Sequence, residues 1–195
     1  VALVLAGCFL LLWQVNLLTA FLALQSSFLY VLVYTPMKRL SWINTTIGAI
    51  PGAMPPLGGW AAATGGLDVG AWALFAVLFI WQHPHFFAIA WMFRDDYRRG
   101  GFQMLSVVDP SGARLFRQTL VFSVVLVPVS LAPALLGSTH GLYAVGAAAL
   151  GVMMLYASIA FVRQRDFGSA RQLMRASLIY LPALLLLIVA DTIVF

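Results

Sequence analysis

Long apolar runs dominate this sequence and limit the folds that are open to it. Hydrophobic residues make up 63% of its 195 positions, and charged residues only 9%. Several runs approach the length of about 20 residues that an α-helix needs to cross a bilayer. Strand-like alternation is lacking in the sequence, so a closed β-barrel does not fit. The sequence therefore predicts an all-α fold, a polytopic transmembrane bundle formed by one domain over residues 1–195.

Seven membrane segments are predicted from these runs. They cover Val1–Leu12, Val15–Tyr34, Asn44–Thr64, Val69–Met92, Leu115–Leu136, Leu142–Val162 and Ala176–Phe195. The first run is too short to cross a bilayer unaided, and Val1 is no natural start, so we expect that a segment is missing upstream. Because no basic residues precede this run and no small-residue cleavage site follows it, it does not read as a signal peptide.

The eleven cations are distributed unevenly between the two sides of the predicted bundle. They are Lys38, Arg39, Arg94, Arg98, Arg99, Arg114, Arg117, Arg163, Arg165, Arg171 and Arg175, all in the connections after the second, fourth and sixth segments. The positive-inside rule assigns that side to the cytoplasm or the mitochondrial matrix. The net charge of +5 therefore indicates topology and contact with lipid or phosphate groups, and nucleic acid is not a predicted partner. The single Cys8 is expected only to pack.

The densest patch of charge begins at Arg94 and ends at Asp109. Its first part consists of Arg94, Asp95, Asp96, Tyr97, Arg98 and Arg99. Carboxylates such as Asp95 and Asp96 suit Mg²⁺, which takes one or two of them and bridges to substrate phosphates, and arginines bind the same phosphates bidentately. The alternative is an ordinary charged loop whose local salt bridges contribute little to stability.

Two further features are a pair of cations on the same side and the membrane segment that follows them. Lys38 and Arg39 are either topology signals or phosphate ligands. The segment that follows them contains four glycines and three prolines between Asn44 and Trp60. It is either a kinked helix packed tightly on its neighbours or a broken helix that opens a cavity wall, and the two interpretations are compatible.

The remaining candidate functional residues are ionisable side chains inside or beside the apolar runs. His83 and His85 lie within the fourth segment, where an ionisable side chain suggests a function, although a hydrogen-bonded histidine in a bundle is the commoner case. Asp68 is expected to be solvated or to cap a helix. Asp191 is expected to be interfacial, and His140, in an outer turn, is assigned no role.

Three strings together identify a resemblance. YTPMKR with PGAMPPLGGWAAATG, then WQHPHFFAIAW, then DDYRRGGFQML resemble, in order and spacing, the protohaem IX farnesyltransferase branch of the intramembrane UbiA-type prenyltransferase superfamily. The resemblance extends from about Asn16 to the C-terminus. Members have nine membrane helices around a central cavity, with two Asp-rich loops that bind Mg²⁺ and the prenyl diphosphate. The seven segments would be the last seven, and the first Asp-rich motif would precede Val1, so this chain alone is expected to be inactive.

The resemblance also implies roles for individual residues. Asp95 and Asp96 match the second acidic loop, as metal ligands and catalytic residues, and Lys38 matches a catalytic basic residue. The residues implied to bind substrate are Arg39, Asn44, His85, Arg94, Tyr97 and Arg98. His83 stands where many relatives have another residue, so it is given less weight. Gln103 and Ser106 depart from a pattern that has prolines at both positions.

The implied reaction transfers farnesyl from farnesyl diphosphate to a vinyl group of haem B, with addition of water, to give haem O for cytochrome oxidase. The implied cofactor is Mg²⁺. Haem A synthase and oxidase assembly factors are candidate partners, and the bacterial or mitochondrial inner membrane is the expected location. Three alternatives remain: a prenyltransferase acting on a quinone or chlorophyll-type acceptor, a transporter with a broken helix, and a non-catalytic assembly scaffold.

Overall fold

The computed structural model describes residues 1–194, and every regular element within them is a helix. The helices are α1 Ala2–Gln14, α2 Leu17–Phe28, α3 Thr35–Leu40, α4 Asn44–Thr64, α5 Val69–Met92, α6 Arg94–Arg99, α7 Leu105–Val108, α8 Ala113–Leu135, α9 Gly141–Gln164 and α10 Phe167–Val194, with a π-helical turn, Leu29–Tyr34, between α2 and α3. The predicted all-α class is confirmed.

Five helical stretches among the described residues are long and apolar enough to cross a membrane. They are Leu17–Leu40, Val69–Met92, Ala113–Leu135, Gly141–Gln164 and Phe167–Val194. Of the other two predicted segments, α1 is apolar but has only 13 residues, and α4 has 21 residues but is diluted by Asn, Thr, Gly and Pro. These lengths and compositions are those of an integral membrane protein.

The first membrane-spanning stretch is one continuous helix with a wider turn near the end that carries Lys38 and Arg39. The side of the bundle with these and the other cations is called the inner side below, and the opposite side the outer side. The π-helical turn, Leu29–Tyr34, joins α2 to α3. Pro36 has no backbone N–H to continue the regular hydrogen-bond pattern, and the Thr35 N–H instead bonds to the carbonyl of Tyr30. Because the helix runs on to Leu40, Lys38 lies in its last turn and not in the loop that the sequence predicted.

Helix α4 is continuous, so of the two interpretations of this segment the broken helix is wrong. Pro51, Pro55 and Pro56 all lie inside the helix. Each proline leaves a carbonyl one turn earlier without its usual donor, and the carbonyl of Pro51, which faces Pro55, is bonded instead by the Ser26 hydroxyl of α2 at 3.1 Å. A neighbouring helix thus satisfies the backbone that a proline would otherwise leave unpaired.

Helix α10 begins at Phe167, nine positions before the predicted start at Ala176. The carboxylate of Asp166 accepts hydrogen bonds from the Ser169 N–H at 2.7 Å and its hydroxyl at 2.8 Å, which is the N-cap arrangement. These bonds hold the pKa of the Asp166 carboxyl below its usual range. Arg171 and Arg175 therefore lie on a helix and not in a loop, because the cap, and not the edge of the apolar run, decides where the helix begins.

Helix α5 lies at the centre of the bundle and packs against α4, α8 and α10. Polar side chains join the helices within the apolar interior. The Trp81 indole N–H donates to the carbonyl of Ser177 on α10 at 3.0 Å, and Ser123 of α8 is hydrogen-bonded to Ser158 of α9 at 2.7 Å. Such bonds are common between membrane helices because few other polar partners exist there.

Two aspartates on the outer side have different surroundings. Asp68 is exposed and caps α5 by accepting from the Ala71 N–H at 3.2 Å, as predicted. Asp191, predicted to be interfacial, lies near the end of α10 and is 0% exposed, so its carboxylate is enclosed by protein. Its carboxylate accepts from the backbone N–H groups of His140 and Tyr143 at the start of α9, and also contacts the His140 ring, which therefore has a partner.

Candidate active site

A cavity of about 250 Å³ opens among the inner parts of α3, α4, α5 and the π-helical turn. Its lining residues are Tyr30, Tyr34, Lys38, Thr45, Gly48, Gly52, Gln82, Phe86, Ile89, Tyr97, Phe102 and Met104. Lys38 and Tyr97 lie near its mouth, and the remaining wall is mostly apolar, apart from Thr45, Gln82 and two further tyrosines. The cavity therefore combines a site for an anionic group with a passage suited to an apolar one.

One wall is formed by a stripe of residues spaced four apart, Tyr30, Tyr34 and Lys38. The Lys38 ammonium lies 4.5 Å from the centre of the Tyr34 ring and 5.8 Å from that of Tyr30. Each contact is a cation–π interaction, and it directs the lysine back into the cavity and away from bulk water. No carboxylate among residues 1–194 forms a salt bridge with Lys38. Its charge is thus available to an anionic ligand.

The opposite wall depends on two glycines of α4, Gly48 and Gly52, which are one helical turn apart. A β-carbon at position 48 would lie 2.5–2.9 Å from three ring carbons of Tyr34. A β-carbon at position 52 would overlap the amide oxygen of Gln82. Glycine is needed at both positions because a side chain from the facing helix occupies the space.

The predicted acidic residues lie on α6, beside the mouth of the cavity and not inside it. Asp95 pairs with Arg98 at 3.0 Å, and Asp96 pairs with Arg99, three residues further along the same helix in each case. The aspartate side chains are 65% and 59% exposed. Such exposed pairs contribute little to stability, so both carboxylates can exchange their arginine partners for another cation.

The other predicted residues of the acidic stretch divide between the cavity and its surroundings. Tyr97 lines the cavity, and burial raises the pKa of its phenol, which therefore stays protonated and able to donate a hydrogen bond at neutral pH. Arg94 turns away to lie 4.8 Å from the Trp91 ring. Arg39 lies 5.8 Å from the ring of Phe102 at the rim.

Asn44 connects the basic and acidic loops. It is fully buried, and its amide donates to the carbonyls of Ser41 at 2.7 Å and Gln103 at 2.9 Å. The Gln103 N–H in turn bonds to the carbonyl of Lys38 at 2.8 Å. Both amide protons of Asn44 are thus engaged by backbone, so in this arrangement Asn44 holds the two loops together.

We expect Asn44→Ala to lower the free energy of unfolding by about 2 kcal/mol, since two buried carbonyls lose a donor. Amide hydrogen exchange at Gln103 should accelerate because the loop is released. The matched control is Asn16→Ala, which also removes hydrogen bonds, to the Ala61 carbonyl and from the Thr19 N–H, but on the outer side. Unchanged exchange at Gln103 in Asn44→Ala would contradict the proposed link between the loops.

Ser106 departs from the proline pattern of the resembling family, and the structure supplies a physical reason for a serine. Its hydroxyl is buried and donates to the carbonyl of Ala90 at 2.6 Å. Ala90 lies in the last turn of α5, where carbonyls have no partner within the helix. The serine therefore anchors α7 to the end of α5, which a proline side chain cannot do.

The two histidines of α5 lie outside the cavity lining. His83 is fully buried against the Phe122 ring, with ring nitrogens bonded to the Phe79 carbonyl at 2.8 Å and the Thr46 hydroxyl at 3.3 Å. Both ring nitrogens are therefore hydrogen-bonded to neighbouring protein groups. His85 faces α10, where Nδ1 lies 2.7 Å from the Ser177 hydroxyl. The predicted contact of His85 with substrate stays a prediction, since this residue is not among those lining the cavity.

The carboxylates of α6 fit Mg²⁺ as part of a shared site and not as a complete cage. Within residues 1–194, no group of three or more His, Cys, Asp or Glu side chains is arranged to hold a metal. Mg²⁺, however, is commonly bound by one or two carboxylates together with waters and substrate phosphates. The chemistry of Asp95 and Asp96, two exposed hard-oxygen donors beside the cavity mouth, suits that mode.

Sequence reasoning missed several residues that line the cavity, although three of them left a signal. Gln82 is a polar side chain inside an apolar run, which is itself an indication of function. The spacing of Tyr30 and Tyr34 relative to Lys38 places all three on one face of a helix. Phe86 and Phe102, by contrast, gave no signal, because aromatic residues are frequent throughout such a sequence.

The fold and this cavity define a polytopic membrane protein with an apolar interior chamber that opens at a charged rim. The model of the UbiA prenyltransferase family matches residues 1–182, and the chain belongs to that family. A solved structure from a study of digeranylgeranylglyceryl phosphate synthase in membranes superposes with a TM-score of 0.82 at 18% identity, covering 100% of this chain and 68% of that one. At that identity the likeness concerns the fold.

Curated relatives match at higher identity. Protoheme IX farnesyltransferase of Solibacter usitatus is 50% identical over 192 residues, which are 98% of this chain and 65% of the relative. The enzyme of that name from Salinibacter ruber is 44% identical over 83% of this chain and 57% of its own length. The human mitochondrial one is 42% identical over 93% of this chain and 40% of its length. The chain thus spans less than two thirds of the length of these relatives.

Proposed function

We propose that the protein carrying this chain transfers a farnesyl group from farnesyl diphosphate to a vinyl group of haem B, with addition of water, to give haem O. The chain would supply most of a single transmembrane prenyltransferase domain. The family and the names of the similar proteins support this reaction class and these substrates. The observation that carries the proposal is the cavity, which has Lys38 and Tyr97 near its mouth and apolar walls further in.

The first task of the site is to bind a diphosphate and stabilise it as it leaves. In our proposal the Lys38 ammonium and the protonated phenol of Tyr97 contact its oxygens, with Arg39 and Arg98 at the rim. Charge that develops on a leaving group is stabilised most strongly by donors already in position, where water is largely excluded. Asp95 and Asp96 would hold Mg²⁺, which when bound supplies further positive charge against the diphosphate.

The second task is to protect an allylic cation until the vinyl group reacts with it. The apolar side chains of Phe86, Ile89 and Met104 line the route from the mouth inward. Such walls exclude the bulk water that would otherwise capture the cation. The carbon–oxygen bond to diphosphate breaks first and gives this cation, and the vinyl π electrons then form a carbon–carbon bond to the first carbon of the farnesyl group.

Both substrates have long apolar parts, and we propose that they enter from the lipid. Two residues of the lining are also exposed on the outside of the bundle, Tyr30 at 49% and Phe86 at 37%. A cavity of about 250 Å³ is smaller than typical ligand pockets of roughly 300–1,000 Å³. The farnesyl tail and the porphyrin would therefore extend past these residues, with only the reacting ends enclosed.

We further propose that the cavity mouth faces the cytoplasm or mitochondrial matrix. The cations cluster on the same side as the mouth, in line with the positive-inside rule. Proteins that take up or modify the product, such as a haem A synthase, would then be partners within the same membrane.

The proposal is tested by supplying the complete gene product in liposomes with haem B, farnesyl diphosphate and Mg²⁺. We expect haem O by mass spectrometry, and none when farnesyl diphosphate is left out. A parallel reaction contains an equal amount of an aromatic quinone precursor as a competing acceptor. Prenylation of the quinone precursor in place of haem would contradict the proposed acceptor while leaving prenyl transfer intact, and no prenyl transfer to either would contradict the reaction class.

A further inference from the structure

Gln82 lines the cavity at the end away from the charged mouth, and hydrogen bonds fix the orientation of its amide. The side chain is 5% exposed. Its Nε2 group lies 3.1 Å from the carbonyl of Leu78 and 3.3 Å from that of Ala49, so both N–H donors are directed at backbone acceptors. The carbonyl oxygen Oε1 is thereby turned toward Gly52 and the cavity that both residues line.

This oxygen accepts no hydrogen bond from any donor within residues 1–194. An amide oxygen that faces a cavity with no protein donor stays without a hydrogen bond unless a ligand or water in the cavity supplies one. Its environment therefore favours a small ligand that donates a hydrogen bond. A water molecule has the right chemistry, because a buried water pairs with polar groups that are otherwise unsatisfied.

Gly52 makes the position of this oxygen possible. Any side chain at position 52 would occupy the space of the Gln82 amide oxygen. Gly52 lies one turn further along α4 than Gly48, which contacts the Tyr34 ring, and Lys38 in turn lies against that ring. The amide oxygen is thus about one helical turn, roughly 5 Å, beyond the point where the diphosphate-binding lysine reaches in.

From this arrangement we propose that Gln82 is a positioning residue that holds the water added to the haem vinyl group, an inference that rests on the proposed function. The Oε1 atom accepts a hydrogen bond from that water. The water is thereby oriented with a lone pair of its own oxygen directed at the reacting carbon. One water is thereby kept in a cavity that otherwise excludes water, at the end away from the charged mouth.

Attack by the vinyl group on the farnesyl carbon leaves a cation on the vinyl carbon next to the porphyrin ring. The held water forms a carbon–oxygen bond to that carbon, and its surplus proton passes to the departed diphosphate. If the water is not held, the cation instead loses a proton from the adjacent methylene group, and the product is an alkene that is lighter by one water.

The test measures the ratio of hydroxylated to alkene product, using the complete gene product in liposomes with haem B, farnesyl diphosphate and Mg²⁺. In Gln82→Met the side chain has similar length but no amide. We expect the hydroxylated fraction to fall at least tenfold relative to the alkene, and oxygen from ¹⁸O-labelled water to appear only in the hydroxylated product. A purely structural defect would lower the total turnover and leave this ratio unchanged.

A second variant changes the position of the same amide by a substitution on the facing helix, α4. Gly52→Ala keeps Gln82 but displaces its oxygen, so the ratio should shift in the same direction even if Gln82→Met does not fold. The control is Gly59→Ala on the same helix, where a β-carbon meets nothing within 4 Å, and whose ratio should equal that of the wild type.

The outcomes separate the inference from the function on which it rests. A wild-type ratio in the folded Gln82→Met or Gly52→Ala protein would overturn the role of Gln82 and leave haem prenylation standing. The absence of any prenylated haem from the wild-type protein would overturn the proposed function, and the inference with it.

Discussion

Replacing both carboxylates of α6, in the double variant Asp95→Asn and Asp96→Asn, should lower kcat/KM for prenyl transfer at least about 1,000-fold, since losing one preorganised charge-stabilising contact typically costs 10²–10³-fold. These two side chains are the described carboxylates beside the cavity mouth, and each is paired only with an exposed arginine. Asparagine preserves their size but removes the negative charge that attracts Mg²⁺. The Mg²⁺ concentration for half-maximal rate should rise in the single variants, which retain one carboxylate.

The matched control is Asp166→Asn, which removes a third exposed carboxylate on the same side of the membrane. Asparagine is as good an N-cap as aspartate, so the bonds from Ser169 are retained and α10 should be unaffected. Thermal unfolding of the double variant should match the wild type because exposed ion pairs contribute little. Near wild-type turnover in the double variant would remove Asp95 and Asp96 from the site.

The second large effect is expected on stability, at the outer end of the bundle. Asp191→Ala should lower Tm by roughly 5–10 °C, since about 1 kcal/mol shifts Tm by 2–4 °C in a chain of this size. The carboxylate is buried and accepts the backbone N–H groups of His140 and Tyr143, the latter at 3.0 Å. Alanine leaves both N–H groups without an acceptor in an environment with little water.

The comparison that tests this explanation is Asp68→Ala, which removes an exposed cap from the same side of the membrane. Water replaces the lost acceptor there, so we expect a decrease in Tm of no more than about 2–4 °C. Thermal unfolding is followed by circular dichroism in one detergent for both variants. An equal or smaller decrease for Asp191→Ala than for Asp68→Ala would show that the buried carboxylate does not hold α9 in place.

The sequence was most informative about the membrane-spanning helices and about which side carries charge. Apolar length located the five helical stretches that are long and apolar enough to cross a membrane, because a helix must satisfy its own backbone in lipid and needs a fixed number of residues to cross it. The asymmetry of the cations predicts the topology for a different reason, the excess of Lys and Arg in cytoplasmic loops. Helix ends were less predictable, since local hydrogen bonds set these limits. Helix α10 begins at Phe167, directly after its cap Asp166, and the helix that contains Lys38 runs past Pro36.

For the candidate site, the sequence alone determined the charged residues of the rim. Asp95, Asp96 and Lys38 stand out because charged residues are rare and costly in such a chain, so each of them is a candidate functional residue. Only the tertiary structure decided which side chains share the cavity. It brings Gln82 and Tyr34 against glycines of α4 and turns His85 toward α10. The physical reason is that the direction of a side chain depends on the packing of helices that are distant in sequence. Apolar helix surfaces can pack in many similar ways, and small residues such as Gly48 and Gly52 favour one of them because they allow close approach.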